Sequence, residues 1–368
     1  MESLSLHFDD LGPEVRPFRF TVIHCESDWS TTPDLPVSDY IAGFQDEKID
    51  RFEYSYNTTT PYIHFTATLP TPDMQLKLSG NYLLVVYDED PEKVVFTRRF
   101  MVMESSPVSV GGKVIQSTRM EDRQTRQQID FVLDLNGFTI MDIGRELKVV
   151  VQQNGRWDNA LRLGKPRFAR GDELDYRYDE QIAFNGGNLF RSFDTKSLLY
   201  QSERISRITY DTVYNVFLLA DLPRAFKQMT TGNDLNGRFY IKNEEQAENS
   251  HIEADYAWIH FFVPWPSMMS AGKPYLMGEL TSWNMDGKSQ LNYNFNLKGY
   301  EAALFLKQGW YDYIYVVKEN GKTTGEESYI EGSHWEAPNE YTIYVYYQQA
   351  GSGFDRLIAV GFLDAMTP

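Results

Sequence analysis

The sequence predicts an all-β protein built from tandem β-sandwich domains. Tyr and Phe favour half-buried pleated surfaces, and they contribute 24 and 23 of the 368 residues, an aromatic share of 15% with Trp. Short apolar runs alternate with period two and are broken by Pro, Gly, Asn and Asp at about 8–12-residue spacing. No long amphipathic helix interrupts them; "IMDIGREL" (140–147) reads as one helical turn at most. A chain of this length, 42% hydrophobic, can bury two or three cores.

The first domain is expected over residues 1–104. "SLSLHF" alternates, and "RPFRFTVIHC" (16–25) sets Phe18, Phe20, Val22 and His24 on one face. "TPYIHFTATL", "GNYLLVVYD" and "TRRFMV" follow as strands, joined by proline- and acid-rich corners such as "TTPDLP" and "DEDPEK". "MESSPVSVGG" (103–112) reads as a linker. A middle β domain is expected over 109–208, with "KVIQST", "QQIDFVLDLNGF" and "RELKVVVQQNGRW" as strands. Asn154-Gly155 signals a tight hairpin if Arg156-Trp157 opens the next strand. The remainder, 209–368, reads as a third sandwich from "TYDTVYNVFLLAD" through "ADYAWIHFFVPWP" and "GWYDYIYVVKENG" to "EYTIYVYYQQ" and "RLIAVGFLD".

Charge and motif content exclude several functions. The net charge, 35 − 52 = −17, repels phosphate backbones, and no basic cluster offsets it, so no nucleic-acid partner is expected. A single cysteine rules out a disulfide framework and a thiolate-rich metal site. No apolar stretch is long enough for a membrane helix, and "MESLSLHFDDL" carries no signal peptide. Glycine pairs in "VSVGGK" and "FNGGNL" lack the spacing of a phosphate cradle. The six histidines show no HExxH and no ligand-like short spacing, so no metal site and no cofactor are expected. "NDLNG" (233–237) starts like a calcium loop but lacks the length and terminal Glu, and reads as a turn.

Two stretches concentrate reactive-looking residues. In "FTVIHCESDWS" (20–30), His24 and Cys25 are adjacent on a strand and point to opposite faces, so they cannot form a thiolate–imidazole pair. The stretch reads as a strand end: Cys25 packed, Asp28 shaping a turn, Trp29 capping the sandwich edge. In "GELTSWN" (278–284), Trp283 can stack on a sugar ring if exposed or fold back onto the sheet. A pair of catalytic acids is not legible among 52 carboxylates, which leaves a glycoside hydrolase as an alternative.

Read together, "LSLHFDDL" (4–11), "FTVIHCESDW" (20–29), "YIAGFQDEKIDRFEYSYNTTTPYIHFTATLP" (40–70) and "LKLSGNYLLVVYD" (76–88) resemble the plug protein family of the Bacteroidetes type IX secretion system. "NLFRSFD", "GELTSWN", "GYEAALFLKQGWYDYIYVV" and "DRLIAVGF" extend the resemblance over nearly the whole chain. It implies a non-enzymatic monomer in the periplasm, peripheral to the outer membrane. Its implied partner is the large outer-membrane translocon β-barrel, whose periplasmic side it binds and plugs. It also marks His24, Cys25, Asp28, Trp29, Asn81 and Tyr82 as a structural motif. Such proteins start with a signal peptide and a further β segment that this sequence lacks, so the first sandwich is expected to lack a strand and to expose an edge. The C-terminal part also resembles early-set glycogen- and starch-binding modules, which implies immunoglobulin-like/early-set sandwiches and a carbohydrate-binding alternative. Of the three ligand-facing positions in those modules only Trp283 is kept, Ile314 standing where they carry lysine.

Overall fold

The computed structural model describes residues 3–229, 231–245 and 247–365. Strand accounts for 48% of it and helix for 4%, so the fold is all-β, with three cores between pairs of sheets. In the first sandwich, the sheet Leu4–Asp10, Ile63–Leu69, Arg51–Tyr54 faces the sheet Asp46–Lys48, Phe18–Cys25, Gly80–Asp88, Val94–Val102. The strand Phe18–Cys25 shows why. Phe18, Phe20 and Val22 point into the core and alternate with half-buried Arg19, Thr21 and Ile23. Leu4–Asp10 pairs on one side only and forms an edge.

The second sandwich sets Ser109–Gln116, Arg126–Asp134, Glu173–Asp175 and Phe168–Arg170 against Arg156–Leu163, Leu147–Gln153, Glu340–Tyr347 and Arg356–Asp364. The hairpin at Asn154-Gly155 forms: φ is 49° and 76° at the two positions, and Gln153 pairs with Arg156. Such a primed turn needs positive φ twice, which Asn and Gly supply at least cost. The helical turn forms at Ile143–Glu146, capped by the Asp142 side chain accepting from the Gly144 N–H.

The third sandwich is inserted within the second. Its sheets are Arg191–Asp194, Gly309–Glu319 and Phe239–Ile241, with Gly272–Met277 and Gly325–Glu326 also paired to Gly309–Glu319, against Ile205–Tyr210, Tyr214–Leu218, Tyr256–Pro264, Gly299–Lys307 and Asn292–Asn294. The expected boundary at 208/209 therefore falls inside this unit, since Arg191–Asp194 and Ile205–Tyr210 pair only with third-sandwich strands. The last two strands, expected in the third domain, instead complete the second: Leu147 pairs with Tyr347 and Gln153 with Tyr341. Periodicity marks a strand without naming its partner, so a discontinuous domain leaves no local trace. The linker is also shorter than expected, because Ser109–Gln116 is already a strand, and Gly112 lies so close to Phe131 that a Cβ would stand 2.6 Å from its side chain.

Candidate functional site

Each sandwich touches the other two, and the three seams hold most of the chemistry-bearing residues. The first seam joins sandwiches one and two and is built on "HCESDW". His24 is buried: its Nδ1 lies 2.7 Å from Thr32 Oγ1 and its Nε2 3.1 Å from the Ser79 carbonyl, and burial pushes its pKa below the usual imidazole value. Gly80 crosses here at φ 136°, where a Cβ would stand 2.5 Å from the His24 ring and 2.7 Å from the Asp355 carbonyl. Cys25 is fully buried, and burial pushes its thiol up to about 11, so it is not a neutral-pH nucleophile. Asp28 accepts from the Ser30 N–H at 2.9 Å and lets Trp29 turn at φ 71°. Trp29 does more than cap an edge. Its ring meets Trp157 of the second sandwich edge-on at 5.0 Å, and the Arg99 guanidinium lies 4.8 Å from it.

Asn81 donates to the Glu26 carbonyl at 2.9 Å and accepts from the Tyr346 hydroxyl at 2.8 Å, tying the two sandwiches together. Tyr82 stays within the first, donating to the Leu78 carbonyl and stacking on Phe100. Across the seam, Asp355 accepts from the Ser27 N–H at 2.9 Å, and Lys148 sits 2.8 Å from Asp355 and 3.7 Å from Glu26. Burial, and then the neighbouring Asp355 carboxylate, push Glu26 up to about 7. A carboxyl whose folded pKa exceeds its unfolded one stabilises fully below the unfolded value and loses that stability as pH rises through the folded one. The contribution of Glu26 to stability should therefore fall between about pH 4.5 and pH 7, against the rise that the lowered imidazoles of His7, His24 and His251 give as pH increases. Glu26→Gln should remove this fall, adding about 1–2 kcal/mol at pH 8 and little at pH 4.5. Urea unfolding of both proteins at the two pH values checks it; a gain equal at both would refute the assignment.

The second seam joins sandwiches two and three around buried Arg156. Its guanidinium grips Asp158 with two bonds (3.0 and 2.9 Å), Glu327 at 2.8 Å and the Gly325 carbonyl at 2.7 Å. Trp283 lies at the same seam. It turns at φ 58°, meets Phe190 edge-on at 6.1 Å, and leaves no room for a Cβ at Gly237, which would stand 2.4 Å from the ring. The ring packs against the fold rather than standing out as a sugar platform, and Ile314 is buried in the same cluster. "NDLNG" ends as a turn with Asn236 and Gly237 at positive φ, its Asp234 accepting from the Phe190 N–H at 2.7 Å.

The third seam joins sandwiches one and three, and the sequence reading missed it. Alternation puts His7 and Asp9 on the outer face of Leu4–Asp10, while Phe8 points into the core and stacks on Phe65. Register sets Asp9 opposite His64, whose Nδ1 lies 2.6 Å from the carboxylate and whose Nε2 lies 3.2 Å from His7 Nδ1. The third sandwich supplies His251, with ring centroids 4.9 Å from His7 and 5.2 Å from His64. It also supplies Tyr256 and Lys307, which donate to Asp9 at 2.8 and 2.6 Å. Burial pushes Asp9 up, but these partners overcome it and hold the carboxyl below its usual range. Burial, and then the neighbouring rings, lower His7 and His251. The expectation that no histidines stand at metal-ligand spacing is thus corrected in space: the three gather from positions far apart in sequence, beside a cavity of about 510 Å³. The same-face pairs in "LHFD" and "YIHFT" were a readable half-signal; the third histidine was not. Asp255 completes the seam by accepting from the backbone of Thr59 and Thr60.

Residues 1–104 match the family model described as the type 9 secretion system plug protein 1st domain. Over the whole chain, the structure is similar to the crystal structure of a hypothetical protein from Parabacteroides merdae ATCC 43184, at 35% identity and a TM-score of 0.94, covering 98% of this chain and 91% of that one. The C-terminal domain of the Streptococcus pyogenes antigen I/II-family protein AspA, at 8% identity and a TM-score of 0.14 over 99% of this chain and 92% of that one, is too dissimilar to bear on the fold. None of the curated proteins matches. Among the described residues no helix is long and apolar enough to cross a membrane. The matched family is one of secretion-system plug domains, associated with the cell envelope, and is not an enzyme family; the role it assigns is in type IX secretion. By the match of its first domain, the chain belongs to the type IX secretion system plug protein family.

Proposed function

We propose that this protein is a non-catalytic monomer that seats against the periplasmic side of the outer-membrane translocon barrel and blocks it. The observation that carries this reading is that every pair of sandwiches is joined through a buried charged group: the Asp355 carboxylate accepting from the Ser27 N–H at the first seam, Arg156 with Glu327 at the second, and Asp9 with Lys307 at the third. Sliding one sandwich on another would break the buried ion pairs of the second and third seams, at about 3–5 kcal/mol each, and would take the Ser27 N–H from the Asp355 carboxylate at the first. The body is therefore stiff, as an obstruction must be.

Docking energy concentrates in a few aromatic anchors. Two neighbouring loops of the third sandwich, linked by the Arg204–Asp221 ion pair, hold Leu199, Tyr200, Leu222 and Phe226 in solvent, with Phe226 fully exposed. These are the anchors we assign. Affinity purification from envelope extracts with this chain as bait should recover a large outer-membrane barrel. The double substitution Leu222→Ser and Phe226→Ser should weaken capture at least about ten-fold, equivalent to ~1.4 kcal/mol, without lowering thermal stability. Recovery of cytoplasmic partners alone would overturn the reading, and undiminished capture by the double variant would overturn the assigned anchors.

A further inference from the structure

We propose that His7, His64 and His251 bind one divalent transition-metal ion of the zinc class, which clips the first sandwich to the third. One donor nitrogen from each ring falls within 4.8 Å of the other two. Nitrogens bound tetrahedrally at about 2.0–2.1 Å from zinc stand roughly 3.3 Å apart. His7 Nδ1 and His64 Nε2, at 3.2 Å, already have that spacing. Closing the set needs a small rotation of His251, which is exposed on a one-turn helix and free to make it.

The supporting shell is more specific than the ligands. The Asp9 carboxylate engages His64 Nδ1, which fixes the tautomer and leaves Nε2 as the donor aimed at His7. Asp9 is itself held by Lys307 and Tyr256, and Lys307 also donates to the His251 carbonyl at 2.6 Å. The third sandwich thus orients a ligand of the first. An all-imidazole donor set suits zinc, copper or nickel and not magnesium or calcium, which take oxygen ligands. On binding, the metal–nitrogen bonds replace the His7–His64 hydrogen bond, and His7 shifts tautomer: its Nδ1 gives up the bridging proton to solvent while its Nε2 takes one up, so the ring binds as a neutral imidazole with no net proton released. The fourth coordination position faces the cavity, where water completes the tetrahedron.

Two ligands come from one sandwich and one from another, so binding favours the joined arrangement over any in which the third seam opens. The full chain, titrated with Zn²⁺ and Co²⁺ in a non-chelating buffer near neutral pH, should take up one ion at micromolar affinity or tighter. Cobalt should show the intense visible bands of a four-coordinate site, and zinc should raise the unfolding temperature. His7→Gln and His251→Gln, both at exposed positions, should each lower affinity on the order of ten-fold or more and abolish the bands. His334→Gln, distant from the site, should change neither. Failure of the wild type to bind either ion saturably, or equal binding by the wild type and both site variants, would overturn the proposal.

Discussion

Arg156→Ala is expected to destabilise the protein by about 3–5 kcal/mol, because it removes the single cation between two buried carboxylates. Arg156 and Glu327 are both buried, and Asp158 nearly so. Burial pushes Asp158 up, but the guanidinium beside it wins and holds the carboxyl low. Burial raises Glu327, and Arg156 offsets only part of that. Without the cation, both acids must protonate or stay charged in a site with little water. Lysine is no substitute, since one ammonium cannot reproduce the two-pronged grip on Asp158 together with the bonds to Glu327 and the Gly325 carbonyl. Arg156→Lys should therefore also lose stability, though less. Arg145→Ala, which breaks an exposed 3.6 Å pair with Asp142, should change it by less than about 0.5 kcal/mol. Urea unfolding of the three variants checks this, and a cost for Arg156→Ala as small as that for Arg145→Ala would refute it.

Asp221→Ala should cost at least about 4 kcal/mol and reduce the yield of folded protein. Asp221 is 1% exposed and accepts from Arg191 at 3.0 Å, from Arg204, and from the hydroxyls of Tyr313 and Tyr315 at 2.8 and 2.7 Å. Each orphaned buried hydroxyl costs about 1–3 kcal/mol, and Arg191 keeps only Glu331 as a balancing acid. Asp221→Asn retains an acceptor oxygen and should lose roughly half as much. Tyr313→Phe, which deletes one donor, should cost about 1 kcal/mol. The ordering of the three variants in urea midpoint is the measurement. An Asp221→Ala protein within about 1 kcal/mol of wild type would show that the network contributes no net stability.

Legibility followed the range of the physics. Phe18, Phe20 and Val22 could be assigned to one face because strand alternation is local. The Asn154-Gly155 hairpin and the Asn236-Gly237 turn were readable because few residues tolerate positive φ. One overlooked signal pointed to the discontinuous second domain. In Glu340–Tyr347, Tyr341, Ile343 and Val345 face the second core while Tyr344 and Tyr346 pack into the cluster that Met101 of the first sandwich joins. A strand apolar on both faces is one covered on both sides, and "EYTIYVYYQQ" could have been read so.

The sequence by itself determined the all-β class, the strands and tight turns, the burial of Cys25 and the family. Tertiary structure alone decided which strands close the second sandwich, that "HCESDW" and Trp283 line interdomain seams, and that three histidines meet Asp9 and Lys307. The reason is physical. Alternation and turn preference act within a few residues of backbone, whereas a seam is made by pairing and burial between groups hundreds of residues apart, whose meeting depends on the packing of the whole chain.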